Sequence, residues 1–233
     1  YHQYDIRTIL ERSSARETAM RVALGAVAKK FLSEFGIRVG SIVIQIGGKR
    51  SPVSCQGLGE KELLDIAEKA ETSAVRCPDE DASKKMVAVI EDAMKEGNSL
   101  GGGFEVFAAG LPPGLGSHVQ WDERLDGRLA QALMAIQAIK AVEVGAGFEM
   151  AGRTGSEVMD EIFYTEGMFY RKTNNAGGLE GGTTNGETIV LHAAMKPIST
   201  LANPLESVDL ATMKTAPSRY ERSDVCAVPA CSV

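Results

Sequence analysis

Residues that build metal centres are scarce in this chain. It has four cysteines (Cys55, Cys77, Cys226 and Cys231) and three histidines (His2, His118 and His192) in 233 residues. No CxxC pair occurs, so a zinc site is not expected and reduced thiols are the plainer reading. Long apolar runs are also missing. The longest largely apolar stretches, Ala132 to Ala138 and Ile189 to Met195, fall far short of the roughly 20 residues a membrane-spanning helix needs. Basic residues are outnumbered, with 25 Lys and Arg against 31 Asp and Glu and a net charge of −6. Broad nucleic-acid binding is therefore excluded, because phosphate backbones demand a surplus of cations. An anionic ligand must be met by a local cluster.

The chain opens on Tyr1 rather than Met, without a cationic segment leading into an apolar one. It ends in the apolar run from Cys226 to Val233 without a closing turn. These features read as the central part of a longer protein, with a cytoplasmic setting expected. The 44% hydrophobic content is ample for a sizeable core.

Helical periodicity is clearest from Ala19 to Leu32, after Ser14-Ala15-Arg16-Glu17, which has the spacing of a capping box, and before Gly36. The β-branched stretch from Ile37 to Ile46 predicts a strand, followed by acidic-fronted helices over Glu60–Glu71 and Asp81–Glu96. A strand is expected at Phe104–Phe107 and a turn at Leu111–Gly114. A long helix should then span Asp122–Lys140, with strands at Ala141–Met150 and Thr188–Met195. The helix-then-strand order of Arg16–Ile46 and Asp122–Met150 suggests an internal repeat. Mixed elements without strict alternation predict an α+β class, a layered sheet-and-helix arrangement (β-α-β sandwich) in which helices cover sheet faces, in a single domain.

Four segments could carry chemistry. Arg12-Ser13-Ser14-Ala15-Arg16 places two guanidinium groups and two hydroxyls before a helix, where free amides and the helix dipole favour anions; a solvated cap is the alternative. The run Asn174 to Gly186 is rich in glycine, which lets backbone amides close on a ligand. It fits neither GxGxxG nor the P-loop, and a flexible linker is the alternative. Lys196-Pro197-Ile198-Ser199-Thr200 supplies a cation and two hydroxyls on a proline-stiffened turn. In Arg222-Ser223-Asp224 a cation and a carboxylate would share one side of an extended segment, as an anion site or as a surface ion pair. His192 reads as a hydrogen-bonded core histidine, whereas His118, on a loop, stays undecided.

Taken in order, Glu11-Arg12-Ser13-Ser14-Ala15-Arg16-Glu17-Thr18, Gly110-Leu111-Pro112-Pro113-Gly114-Leu115-Gly116, Leu125-Asp126, Asn175-Ala176-Gly177-Gly178, Lys196-Pro197-Ile198-Ser199-Thr200 and Arg222-Ser223-Asp224 resemble the chorismate synthase family. The resemblance covers nearly the whole chain. It implies loss of phosphate from 5-enolpyruvylshikimate 3-phosphate by anti-1,4-elimination, with reduced FMN as cofactor, NADPH as a candidate reductant of that flavin, and a homotetramer. It further implies that Arg12, Ser13, Ser14, Gln137, Ala138, Gly181, Lys196, Pro197, Ile198, Ser199, Thr200 and Arg222 contact the flavin. Arg16 would meet the substrate phosphate, and Asp224 would assist the flavin's reactive nitrogen. The family's Gly-Glu-Ser-His-Gly and Gly-His-Ala-Asp motifs, which carry two acid histidines, do not occur in these 233 residues. A chain of these residues alone is expected to lack turnover, and a folded, inactive core with partial flavin or phosphate binding is the competing reading.

Overall fold

The computed structural model describes Asp5 and residues 7–14, 17–218 and 224–233. A short helix, α1 (Arg7–Ser13), precedes the expected amphipathic helix, α2 (Thr18–Ser33). The start of α2 differs from the capping-box reading: Glu17 is its N-cap, with helical backbone and no side-chain cap bond. Its carboxylate is engaged elsewhere, by Gln137 and Arg21. Gly36, at φ +79°, turns the chain out of the helix in a conformation that a Cβ would oppose.

The β-branched stretch then forms β1 (Arg38–Ile46), which hairpins into β2 (Lys49–Arg50). Two amphipathic helices follow as expected, α3 (Glu60–Thr72) and α4 (Glu80–Lys95). The Asp79 carboxylate caps α4 by accepting the Ala82 amide. Beyond them lie β3 (Gly102–Ala109), α5 (Leu125–Met134) and β4 (Ile139–Val144). Next come α6 (Gly155–Val158), the hairpin β5 (Ile162–Thr165) and β6 (Met168–Arg171), and the small ribbon β7 (Leu179–Glu180) and β8 (Thr183–Thr184). The chain closes with β9 (Ile189–Met195), the hairpin β10 (Glu206–Asp209) and β11 (Lys214–Pro217), and α7 (Val228–Cys231).

Strands β2-β1-β3-β9-β4 form one antiparallel sheet. Alternation sends Ile42, Phe107 and Val190 to one face, against Leu63 and Ala70 of α3 and Cys55 of the preceding loop. Val43, Phe104, Ala193 and Met195 face the other way, against Met86 of α4 and Val228 of α7. On that same side Leu129 and Leu133 of α5 pack near Ile189 and Leu191. Full burial of a side chain such as Phe104 or Ile42 contributes about 1.5–3 kcal/mol. Helices thus cover both sheet faces, as the α+β reading expects.

Two expected boundaries are corrected. Helix α5 stops at Met134 rather than Lys140, and β4 begins at Ile139 and ends at Val144 rather than running from Ala141 to Met150. The apolar spacing of Leu133, Ile136 and Ile139 suits a continuing helix. Ala138, however, adopts φ +67° and reverses the chain. Beyond Val144, positive φ at Gly145 and Gly147 diverts the strand into a 3₁₀ turn.

Candidate functional site

Segments remote in sequence meet around the turn between α5 and β4. The Ala138 carbonyl accepts the Lys196 amide at 2.9 Å, which joins this turn to the end of β9. On the other side Gln137 Nε2 donates to Glu17 Oε2 at 2.7 Å and lies 3.5 Å from the Ser14 carbonyl oxygen. Ser14 and Glu17, the Gln137–Ala138 turn and the start of the Lys196–Thr200 turn are therefore held as neighbours. Ser13 sits at the end of α1, its hydroxyl donating to the Ile9 carbonyl at 3.1 Å.

A second set of bonds converges on Ser99-Leu100-Gly101. Ser99 Oγ donates to the Ile198 carbonyl at 2.6 Å, and the Leu100 amide donates to the Val225 carbonyl at 2.8 Å. A Cβ on Gly101 would strike the Met195 carbonyl and the Lys196–Pro197 peptide, so only glycine lets this segment lie against the turn. Asp224 is exposed and directly precedes the anchored Val225. One short segment thus fixes both the Lys196–Thr200 turn and the stretch bearing Asp224.

The remaining candidates are distributed differently. Gly181, at φ +62°, lies in the β7–β8 turn with open space where its Cβ would be. That turn is tied to the start of α5, since the Gly182 carbonyl accepts the Leu125 amide at 2.9 Å. The glycine-rich run is not a linker, because Asn174 bridges the Thr188 carbonyl and the Gly178 amide, each at 2.8 Å. Two of its amides, those of Asn175 and Ala176, already donate to the Asp160 carboxylate, both at 2.9 Å. The backbone of Arg12 belongs to α1, while its side chain, Arg16, Arg222 and Ser223 lie outside the described residues.

The family model described as chorismate synthase matches residues 1–233. The chain belongs to the chorismate synthase family. It is 55% identical to the chorismate synthase of Aquifex aeolicus, over all of this chain and 60% of that relative. The chorismate synthase of Moorella thermoacetica is 57% identical, again over all of this chain and 59% of the relative. A solved crystal structure of chorismate synthase superposes with a TM-score of 0.81 at 55% identity, covering 84% of this chain and 60% of that one. The chain spans about 60% of the length of these relatives.

Within the family's expected flavin site the polar groups suit a ligand rich in both donors and acceptors. Gln137 Oε1 is buried and, among the described residues, has no hydrogen-bond partner. Such an atom is costly unless something donates to it. Lys196 adds an exposed cation on the turn that also carries the hydroxyls of Ser199 and Thr200, residue types suited to a phosphate. Glu17 is held below the usual carboxylate range, chiefly by the Gln137 hydrogen bond and then by Arg21, so it is an anion and a pure acceptor. These residues fit a flavin mononucleotide.

Sequence reasoning singled out neither Glu105 nor Glu17 as a functional group. Glu105 is 2% exposed on β3. It accepts from the Cys55 amide at 2.5 Å and the Ser54 hydroxyl at 2.9 Å, and pairs with His192 Nδ1 at 3.2 Å. His192 is hydrogen-bonded as expected, but its side chain is 22% exposed, so it lies at the edge of the core rather than inside it. A carboxylate inside the apolar stretch Phe104-Glu105-Val106-Phe107 was the available signal, because a buried charge is kept only when partnered. No group of three or more metal-ligating side chains occurs among the described residues, and no helix there is long and apolar enough to cross a membrane.

Proposed function

We propose that the protein carrying this chain is a lyase that converts 5-enolpyruvylshikimate 3-phosphate to chorismate by anti-1,4-elimination, with reduced FMN as cofactor. The observation that carries the reading is the convergence of Ser14, Gln137, Ala138 and Lys196, through contacts spanning more than half the chain, in a member of the chorismate synthase family.

Reduced FMN, when bound, supplies transient electron density and a nitrogen that takes the departing ring hydrogen. The protein's own groups bind, orient and balance charge. Lys196, Ser199 and Thr200 would hold the cofactor phosphate, with Ser13, Ser14, Arg12 and Arg222 around it and Gly181 leaving room for close approach. Gln137 Oε1 would accept from the bound flavin. Arg16 would face the leaving phosphate, where a fixed guanidinium stabilises the charge as the bond to the ring breaks. Asp224 would hold a proton beside the reacting nitrogen.

The same reading makes residues 1–233 one domain of a layered sheet–helix–sheet sandwich, with α2–β1 and α5–β4 as repeated units, in a cytoplasmic homotetramer. The apolar face of α2 supports a further layer: Leu24, Val27 and Phe31 are exposed by 70%, 70% and 64%, and no residue of that helix is buried.

The test is anaerobic turnover by the intact protein with reduced FMN and 5-enolpyruvylshikimate 3-phosphate. Chorismate and inorganic phosphate should appear in equal amounts, and reduced FMN should bind tightly only when the substrate is present. Absence of chorismate under those conditions refutes the assignment.

A further inference from the structure

We propose that Glu17 is a positioning residue: it fixes the rotation of the Gln137 carboxamide so that Gln137 Oε1 faces the bound flavin as a hydrogen-bond acceptor. The inference rests on the functional reading above and deepens it. Glu17 is absent from the residues to which the family resemblance gives a role.

A carboxamide has two ends of nearly equal shape and opposite hydrogen-bonding sense. The end of Gln137 nearest α2 lies 2.7 Å from Glu17 Oε2 and 3.5 Å from the Ser14 carbonyl oxygen. A carboxylate and a carbonyl can only accept, so the atom facing both must be the NH₂ nitrogen. The opposite end is then the carbonyl oxygen, and that is the atom left buried without a partner among the described residues. Glu17 is itself steadied, because its other oxygen accepts Arg21 Nε at 2.8 Å from one turn further along α2. It makes no side-chain cap bond to the helix it begins, so its carboxylate acts outward, on Gln137. A buried carbonyl oxygen calls for a donor, which a flavin offers as a ring N–H or a ribityl hydroxyl.

The experiment is anaerobic titration of the intact protein with reduced FMN in the presence of substrate, comparing wild type with Glu17→Gln, Glu17→Ala and Glu17→Lys, each in the Gln137 and the Gln137→Ala backgrounds. Glu17→Gln can still turn its carbonyl oxygen to the Gln137 NH₂ and should stay near wild type. Glu17→Ala releases the rotation and should weaken binding by up to about tenfold, the upper end for one neutral hydrogen bond. Glu17→Lys sets a donor where an acceptor stood, inverts the carboxamide, and should weaken binding further. Both losses should vanish in the Gln137→Ala background, because the two residues act as one unit.

Losses that simply add to that of Gln137→Ala overturn the proposal. So does tighter binding by Glu17→Ala and Glu17→Lys, the result expected if Glu17 acts only as a negative charge near an anionic ligand. Wild-type protein that fails to bind reduced FMN at all would overturn the functional reading instead.

Discussion

Replacing Glu105 is the sharpest test of how the sheet is held together beneath the Ser54–Cys55 loop. With Glu105→Leu the Cys55 amide, the Ser54 hydroxyl and His192 Nδ1 lose their common acceptor. Breaking a buried ion pair by deleting one partner costs about 3–5 kcal/mol. At roughly 2–4 °C per kcal/mol for a chain of this size, the melting temperature should fall by about 6–20 °C. Glu105→Gln should cost less, about 1–3 kcal/mol: its amide oxygen can still take the Cys55 N–H, and its NH₂ can face an unprotonated His192. The pH dependence gives the decisive signature. Burial alone would raise the Glu105 carboxyl, but the bonds from His192, Cys55 and Ser54 outweigh it and hold it below 4.5. Burial would likewise lower the His192 imidazole, but the Glu105 bond and charge, the neighbouring Glu143 and the Gly145 backbone hold it above 6.5. A depressed carboxyl stabilises above its unfolded value and a raised imidazole stabilises below its own, so the pair contributes most between 4.5 and 6.5. The contribution declines as pH rises through the folded His192 value, and also as pH falls through the folded Glu105 value. Thermal unfolding followed by circular dichroism should therefore show the wild-type advantage over Glu105→Gln to be largest near about pH 5.5 and smaller by about pH 8.5. An advantage below about 1 kcal/mol near about pH 5.5, or one that widens from there toward about pH 8.5, would refute the pairing.

Two further outcomes concern the proposed site. Asp224→Ala in the intact protein should lower kcat by about 10²–10⁴-fold while leaving reduced-FMN binding largely intact, as read by stopped-flow turnover and anaerobic titration; unchanged turnover removes Asp224 from the chemistry. Gly101→Ala forces a methyl into the Met195 carbonyl and the Lys196–Pro197 peptide, so the turn bearing Lys196 must shift. Reduced-FMN affinity should then fall by more than tenfold, the effect of a misplaced charged contact; a stable variant that binds normally would show that this turn does not hold the flavin.

The division between what could and could not be read from the sequence follows the range of the interactions. Helices α2, α3 and α4 declare themselves through the 3.6-residue repeat and strands β1 and β9 through β-branched or apolar runs, signals that mark an element without naming what packs on it. The α5–β4 boundary does not, because Leu133, Ile136 and Ile139 satisfy the helical period while the reversal at Ala138 depends on one positive φ and on a bond to Lys196. The hairpins β5–β6 and β10–β11 escape for another reason: they are short and mostly exposed, so burial leaves no alternation in them to detect. In the site, composition finds the segments that carry cations, hydroxyls and glycines, but their pairing is set across the chain. Glu17 shows why. Three residues after Ser14 it has the spacing of a capping box, yet its carboxylate binds a carboxamide 120 residues away. Local spacing shows which bonds the carboxylate could make; only the folded chain shows that Gln137 claims it, leaving the opposite carbonyl oxygen buried without a partner among the described residues.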